Sequence, residues 1–197
     1  GGTLALARRL QPDARRVAIV AGVGAGDQAR AESTARNVAR EAPGLEVVRL
    51  DRLPLAEARA QLAVLPRDSI VIYEGVARDA DGATYFPSDV AETLAAASNA
   101  PMYGHVESLL GRGIVGGALV EAGEQGRVVG ELVADVLARR VPPDAPPREG
   151  TPPSCSVDVR QLARFGLDAA RVPDSCTRAF HDAGLLERYP WQVAGAL

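Results

Sequence analysis

Lysine is absent from this 197-residue chain: all 22 basic side chains are arginine, set against 25 acidic ones for a formal charge of −3. The charges are mixed along the sequence and gather into no basic stripe that would neutralise phosphates, so nucleic-acid binding is not expected. Histidine and cysteine are scarce, with two of each. His105 and His181 lie far apart and neither stands at ligand spacing from a cysteine, which leaves metal binding without support. No run approaches the roughly 20 apolar residues of a membrane helix, and no charged-then-apolar leader opens the chain. Gly-x-Ser-x-Gly, His-Glu-x-x-His and Walker signatures are all missing. Catalysis by this chain is therefore not expected, and no cofactor is implied. The first residue is glycine, already inside an apolar-periodic stretch, so the sequence reads as a fragment of a longer protein.

What is present is a globular composition, 47% hydrophobic and 24% charged, with strands and helices in alternation. Residues 1–10 suit a helix ended by Pro12. Arg16-Val17-Ala18-Ile19-Val20-Ala21 is a β-branched run of the kind buried on both faces of a sheet. Helical spacing over 27–41 stops at Pro43-Gly44, and strand 45–50, helix 55–65 and strand 69–73 follow. Asp79 to Gly82 is a turn, Ser88 is the expected N-cap of a helix over 89–98, and 101–104 and 114–120 are the fourth and fifth strands. The fold class is α/β, a parallel sheet with helices on both faces and right-handed crossovers. A long amphipathic helix over 121–140 carries Val128, Val129, Leu132, Val133, Val136 and Leu137. Beyond it come a proline-rich linker, a short helix over 160–165 stopped by Gly166, and an irregular C-terminal tail.

Ala21-Gly22-Val23-Gly24-Ala25-Gly26-Asp27 sits between a strand and a helix and mimics a dinucleotide fingerprint. The spacing is wrong, because the third glycine falls at 26 and the required position holds Asp27, whose carboxylate opposes pyrophosphate and helps cap the helix. A better guide is position, since ligands of open parallel sheets sit outside the carboxyl ends of the strands. Those ends deliver Gly22 and Val23, then Tyr73, Glu74 and Arg78, then Tyr103, His105 and Glu107, with Tyr85 in the loop after the third strand. Aromatic rings with a few polar groups suit a small-molecule cleft. Glu74 and Glu107 favour a cationic or hydroxylated ligand, whereas Arg78 and Arg112 favour an anion. Cys155 and Cys176 could close a loop of about 20 residues in an oxidising compartment or remain separate thiols in a reducing one.

Several stretches resemble the periplasmic-binding-protein-like sensor regions of bacterial sensor histidine kinases, relatives of ABC-transporter substrate-binding proteins. They are Arg16 to Val20, Leu53-Pro54-Leu55-Ala56, Gly104-His105, Leu110-Gly111-Arg112-Gly113-Ile114-Val115-Gly116-Gly117, Gly126-Arg127, and Val157 to Leu167 with its Arg160-Gln161-Leu162 core. Leu186-Glu187-Arg188-Tyr189-Pro190-Trp191 is similar to the family's segment before a transmembrane helix. The resemblance covers nearly the whole chain. It implies one lobe of a type I periplasmic binding protein over 1–120, a helix over 121–141 that packs on a missing first lobe, and a return segment with a pre-membrane tail over 142–197. The two cysteines depart from the family's pattern, and the extracytoplasmic location that the resemblance implies would leave them bonded.

On that resemblance the chain is the ligand-sensing extracytoplasmic part of a membrane-bound two-component sensor kinase, with no catalysis of its own. The alternative is a substrate-binding protein of an ABC transporter, and a nucleotide-dependent enzyme on the same sheet is a weaker third. The implied partners are a small-molecule ligand, the missing lobe, an adjoining membrane helix and a second copy in a homodimer. Gly22, Val23, Tyr73, Glu74, Tyr85 and His105 should then form one concave, partly exposed surface. Substituting Tyr73 or His105 by Ala should weaken the ligand response with little loss of stability.

Overall fold

The computed structural model describes residues 1–142, 145–146 and 150–180. The β-branched runs become the centre of the sheet: β1 (Arg16–Val20) and β3 (Ser69–Tyr73) are adjacent, parallel and buried almost throughout. Val17 and Ile19 of β1 pack under α1 (Gly2–Leu10) and α2 (Ala25–Glu41), while Ala18 and Val20 pack under α3 (Leu55–Val64) and α4 (Pro87–Ala97). This period-two alternation gives the strand two hydrophobic faces and the molecule three layers. The parallel order continues outward through β2 (Glu46–Leu50) on one side and through β4 (Met102–Tyr103) and β5 (Gly116–Leu119) on the other.

The region after the linker is less irregular than its composition indicates. It adds β6 (Ser154–Asp158), antiparallel to β5, and β7 (Thr177–Ala179), parallel to β6, completing the order β2-β1-β3-β4-β5-β6-β7. Both strands are short and polar, so no hydrophobic alternation announces them. Between them runs α6 (Val159–Phe165), capped by the Asp158 carboxylate on Arg160 N–H and ended by Gly166 in the left-handed conformation. Cys155 on β6 and Cys176 just before β7 are joined in a disulfide with Cα atoms 4.5 Å apart. The pre-membrane segment 186–191 and His181 lie outside the described residues.

Gly116 and Gly117 allow the close approach of β4, β5 and β6. A Cβ on Gly117 would stand 2.1 Å from the Gly104 carbonyl oxygen, and one on Gly116, whose φ is +152°, would stand 2.2 Å from that of Ser156. Two helix starts differ from expectation. α4 begins at Pro87, whose φ suits the first helical position and whose missing N–H leaves one unpaired donor fewer there, with Phe86 in the capping position and no side-chain cap, because a phenyl ring has no acceptor. Ser88 is thus the second residue of the helix. α2 begins at Ala25, and Asp27 does not cap it: one carboxylate oxygen turns to Ala77 N–H of a neighbouring loop and the other to the Arg30 side chain on the same helix.

α5 (Ala122–Leu137) stands apart from this core: none of its residues is buried, and Val129, Val133, Val136 and Leu137 are exposed. Among the described residues no helix is long and apolar enough to cross a membrane.

Candidate functional site

The carboxyl ends of β1, β3 and β4 lie along one edge of the sheet, where the chain leaves β3 as Glu74-Gly75-Val76. Backbone bonds hold this exit: Glu74 N–H donates to the Val20 carbonyl at 2.8 Å, and Gly22 N–H to the Gly75 carbonyl at 2.8 Å. Gly75 adopts φ +100°, a conformation that favours glycine. Beneath it the Tyr73 hydroxyl donates to the Pro87 carbonyl at 2.6 Å and accepts from Val76 N–H at 3.0 Å, tying the loop to the start of α4. Burial pushes the pKa of this hydroxyl well above the usual tyrosine value.

One face of α2 supplies the polar groups. Asp27, Arg30 and Thr34 stand at i, i+3 and i+7, which places them on a single stripe turned toward the β3 exit. Arg30 Nη2 donates to Asp27 Oδ1 at 2.5 Å, Arg30 Nε donates to the Glu74 carbonyl at 2.9 Å, and Asp27 Oδ2 accepts from Ala77 N–H at 3.3 Å. Thr34 donates its hydroxyl to Glu74 Oε1 at 2.5 Å. The other oxygen, Oε2, lies 3.4 Å from His105 Nδ1, a buried atom that makes no hydrogen bond.

Glu74 and His105 form the wall shared by two open clefts. One, of about 230 Å³, is bounded by the start of α1, by Thr34 and Asn37 of α2, and by Ala118. The other, of about 390 Å³, is bounded by Arg30, Tyr73, Gly75, Pro87 and Ser108. The larger is of a size that suits a small molecule. Phe86, next to Pro87, is 78% exposed. Among the described residues there is no cluster of side chains able to hold a metal ion.

The expected rim residues do not form one continuous surface. Tyr73 and Tyr103 are only 1% and 0% exposed and pack on opposite faces of the sheet. Tyr103 donates its hydroxyl to Gln11 Oε1 at 3.0 Å, and Gln11 Nε2 in turn donates to the Ser69 carbonyl at the amino end of β3. It is a core residue pointing away from the clefts. Tyr85, half-buried, donates to Asp79 Oδ2 at 3.0 Å and serves the turn it sits in. Burial opposes ionisation of Asp79, but the N–H groups of Leu55, Ala83 and Asp81 and the Tyr85 hydroxyl outweigh it and hold its pKa below the usual carboxylate value. Val23 borders a separate depression with Gln28 and Arg52, Gly22 is buried against the Arg78 carbonyl, and Glu107 is exposed on a short turn. The structure brings together Glu74 and His105 with Tyr73 beneath them. Asp27, Arg30 and Thr34 complete the group, and their helical spacing is the signal that sequence reasoning passed over.

No family profile and no curated protein matches the chain. Solved structures do. The ABC domain in complex with L-Trp from Streptococcus pneumonia matches with TM-score 0.66 and 13% identity over 88% of this chain and 56% of that one. A conserved domain protein from Vibrio cholerae matches with TM-score 0.65 and 16% identity over 89% and 58%. The ligand-free, open form of a substrate binding protein with adhesive properties from Clostridium difficile matches with TM-score 0.62 and 14% identity over 91% and 59%. The fold is therefore shared with part of such proteins, and the chain spans less than three-fifths of the length of each.

Proposed function

We propose that the chain is one lobe of an extracytoplasmic small-molecule-binding region, that of a membrane-bound two-component sensor histidine kinase, and that its ligand sits at the Glu74–His105 wall under an opposing lobe. The observation that carries this reading is the placement of a buried carboxylate and an unbonded imidazole nitrogen at the carboxyl edge of a parallel sheet, between two open clefts. Two further features support it. The exposed ring of Phe86 stands beside the larger cleft, where a closing lobe would cover it. α5 carries a valine and leucine stripe with no buried residue, and Gly123, Gly126 and Gly130 weaken it as an isolated helix. On this reading residues 1–120 are the lobe, its sheet completed by β6 and β7 of the segment 142–197 that returns toward the membrane, and 121–141 is the helix that rests on a first lobe. Signalling follows from population shift: ligand favours the closed arrangement and changes the angle at which the chain leaves the lobe.

The competing reading is a substrate-binding protein serving an ABC transporter, and the likeness to the ABC domain and to the substrate binding protein is compatible with both. The gene beyond Leu197 separates the two, a membrane span followed by kinase motifs supporting the sensor and a stop codon supporting the transporter. The binding reading itself is tested by recording amide NMR spectra of the chain with size-fractionated metabolite extracts. Shifts confined to residues 73–75, 88 and 105–109 are expected. Shifts only at the opposite edge, around Gln11 and Asp68, would overturn the site.

A further inference from the structure

We infer that the ligand at the Glu74–His105 wall carries a cationic nitrogen, an amine, ammonium or guanidinium, which it presents to the Glu74 carboxylate. The inference rests on the cleft reading above and adds the ligand's chemistry. Among the described residues, the acidic and basic side chains at the Glu74–His105 wall or in the group behind it are Asp27, Arg30, Glu74 and His105. Arg30 is already matched, since its Nη2 is 2.5 Å from Asp27 Oδ1 and its Nε serves the backbone carbonyl of Glu74, not the carboxylate. Beside the Glu74 carboxylate stands the His105 ring, whose Nδ1 is 3.4 Å from Oε2 without a hydrogen bond and is a cation only when protonated, and among the described residues no arginine is hydrogen-bonded to that carboxylate. Glu74 is only 7% exposed, its Oε1 receives a single neutral donor from Thr34, and no donor is hydrogen-bonded to its Oε2 among the described residues. A carboxylate so withdrawn from water is normally paired, and an ammonium supplied by a ligand would make a charge-assisted hydrogen bond there.

The arginines that would favour an anion are elsewhere. Arg112 is held by Asp89 at 3.0 Å and Glu92 at 3.1 Å on α4. Arg78 is exposed and contributes its backbone carbonyl to Val23 N–H. Glu107, a further acidic residue near this edge, is exposed and adds to the same sign of charge.

The test uses the 197-residue chain and two series on a common frame in which the terminal group passes from cation to neutral to anion: tyramine, tyrosol and 4-hydroxyphenylacetate, then putrescine, 1,4-butanediol and succinate. Amide shifts at Glu74, Gly75 and His105 give Kd for each. The amine of at least one series should bind about tenfold tighter than its alcohol and carboxylate counterparts. Glu74→Gln, which keeps an oxygen for Thr34, should bring the three members of that series within about threefold. An alcohol or carboxylate that binds as tightly as the amine in both series overturns the inference, as does a folded Glu74→Gln that retains the preference. Should that variant fail to fold, the ranking by the unaltered chain decides alone. If no compound of any charge shifts these amides at millimolar concentration, the cleft reading itself falls and the inference with it.

Discussion

Removing the hydroxyl of Tyr73 separates a core residue from a rim residue. On the rim, Tyr73→Phe or Tyr73→Ala would cost little stability. In the structure the ring is 1% exposed in the cluster under α3 and α4, and its hydroxyl is the link between Pro87 and Val76. Tyr73→Phe leaves the buried Val76 N–H without its acceptor, a loss of about 1–3 kcal/mol. Tyr73→Ala adds the cavity left by an aromatic ring, for a total of about 3–5 kcal/mol. Urea denaturation followed by far-UV circular dichroism measures both. The phenylalanine variant should also loosen the exit of β3 from α4, so amide exchange at Gly75 and Val76 should rise more than the global stability loss explains. A loss under about 0.5 kcal/mol for Tyr73→Phe, with exchange unchanged, would refute the reasoning and return Tyr73 to the surface.

Reducing the Cys155–Cys176 bond, which closes a loop across a sequence separation of 21, should lower stability by about 3 kcal/mol, read from urea midpoints with and without reductant. Gly117→Ala drives a Cβ into the Gly104 carbonyl and should destabilise by about 1–3 kcal/mol, whereas Gly126→Ala, in open space on α5, should be neutral or stabilising by up to about 1 kcal/mol; thermal melts of the pair check the contrast. The depressed pKa of Asp79 contributes stability that is present above the unfolded value of about 3.9 and is lost as pH falls through the lower folded value. Asp79→Asn should therefore melt below the unaltered chain at pH 7, and the gap should close in acid.

The parts of the fold legible in the sequence are those where burial writes a pattern. β1 and β3 are β-branched because both faces are covered, and the glycine and proline stops between them mark the crossovers. β6 and β7 left no such trace, since Ser-Cys-Ser-Val-Asp and Thr-Arg-Ala gain their place from pairing, β6 with β5 and β7 with β6, and from the disulfide, with Val157 alone of these strands fully buried in the apolar core. At the site, strand ends identified Glu74 and His105 by position alone. Tyr103 was misplaced for the same reason: a residue at the end of a two-residue strand is aimed by the pleat, and here the pleat sends it down beside Gln11. Asp27 was read as a helix cap because its neighbours on the helix stripe, Arg30 and Thr34, acquire meaning only once β3 is beside them.

The central claim is that this chain is one lobe of a two-lobed binding protein, with α5 resting on the other lobe. Cysteines introduced at Val133 and Leu137 test it through thiol labelling, with Cys155 and Cys176 kept oxidised. The labelling rate in the 197-residue chain is compared with that in the longer product of the same gene. The account predicts fast labelling at both positions in the chain and protection of about tenfold or more in the longer protein. Equal rates in the two would contradict it.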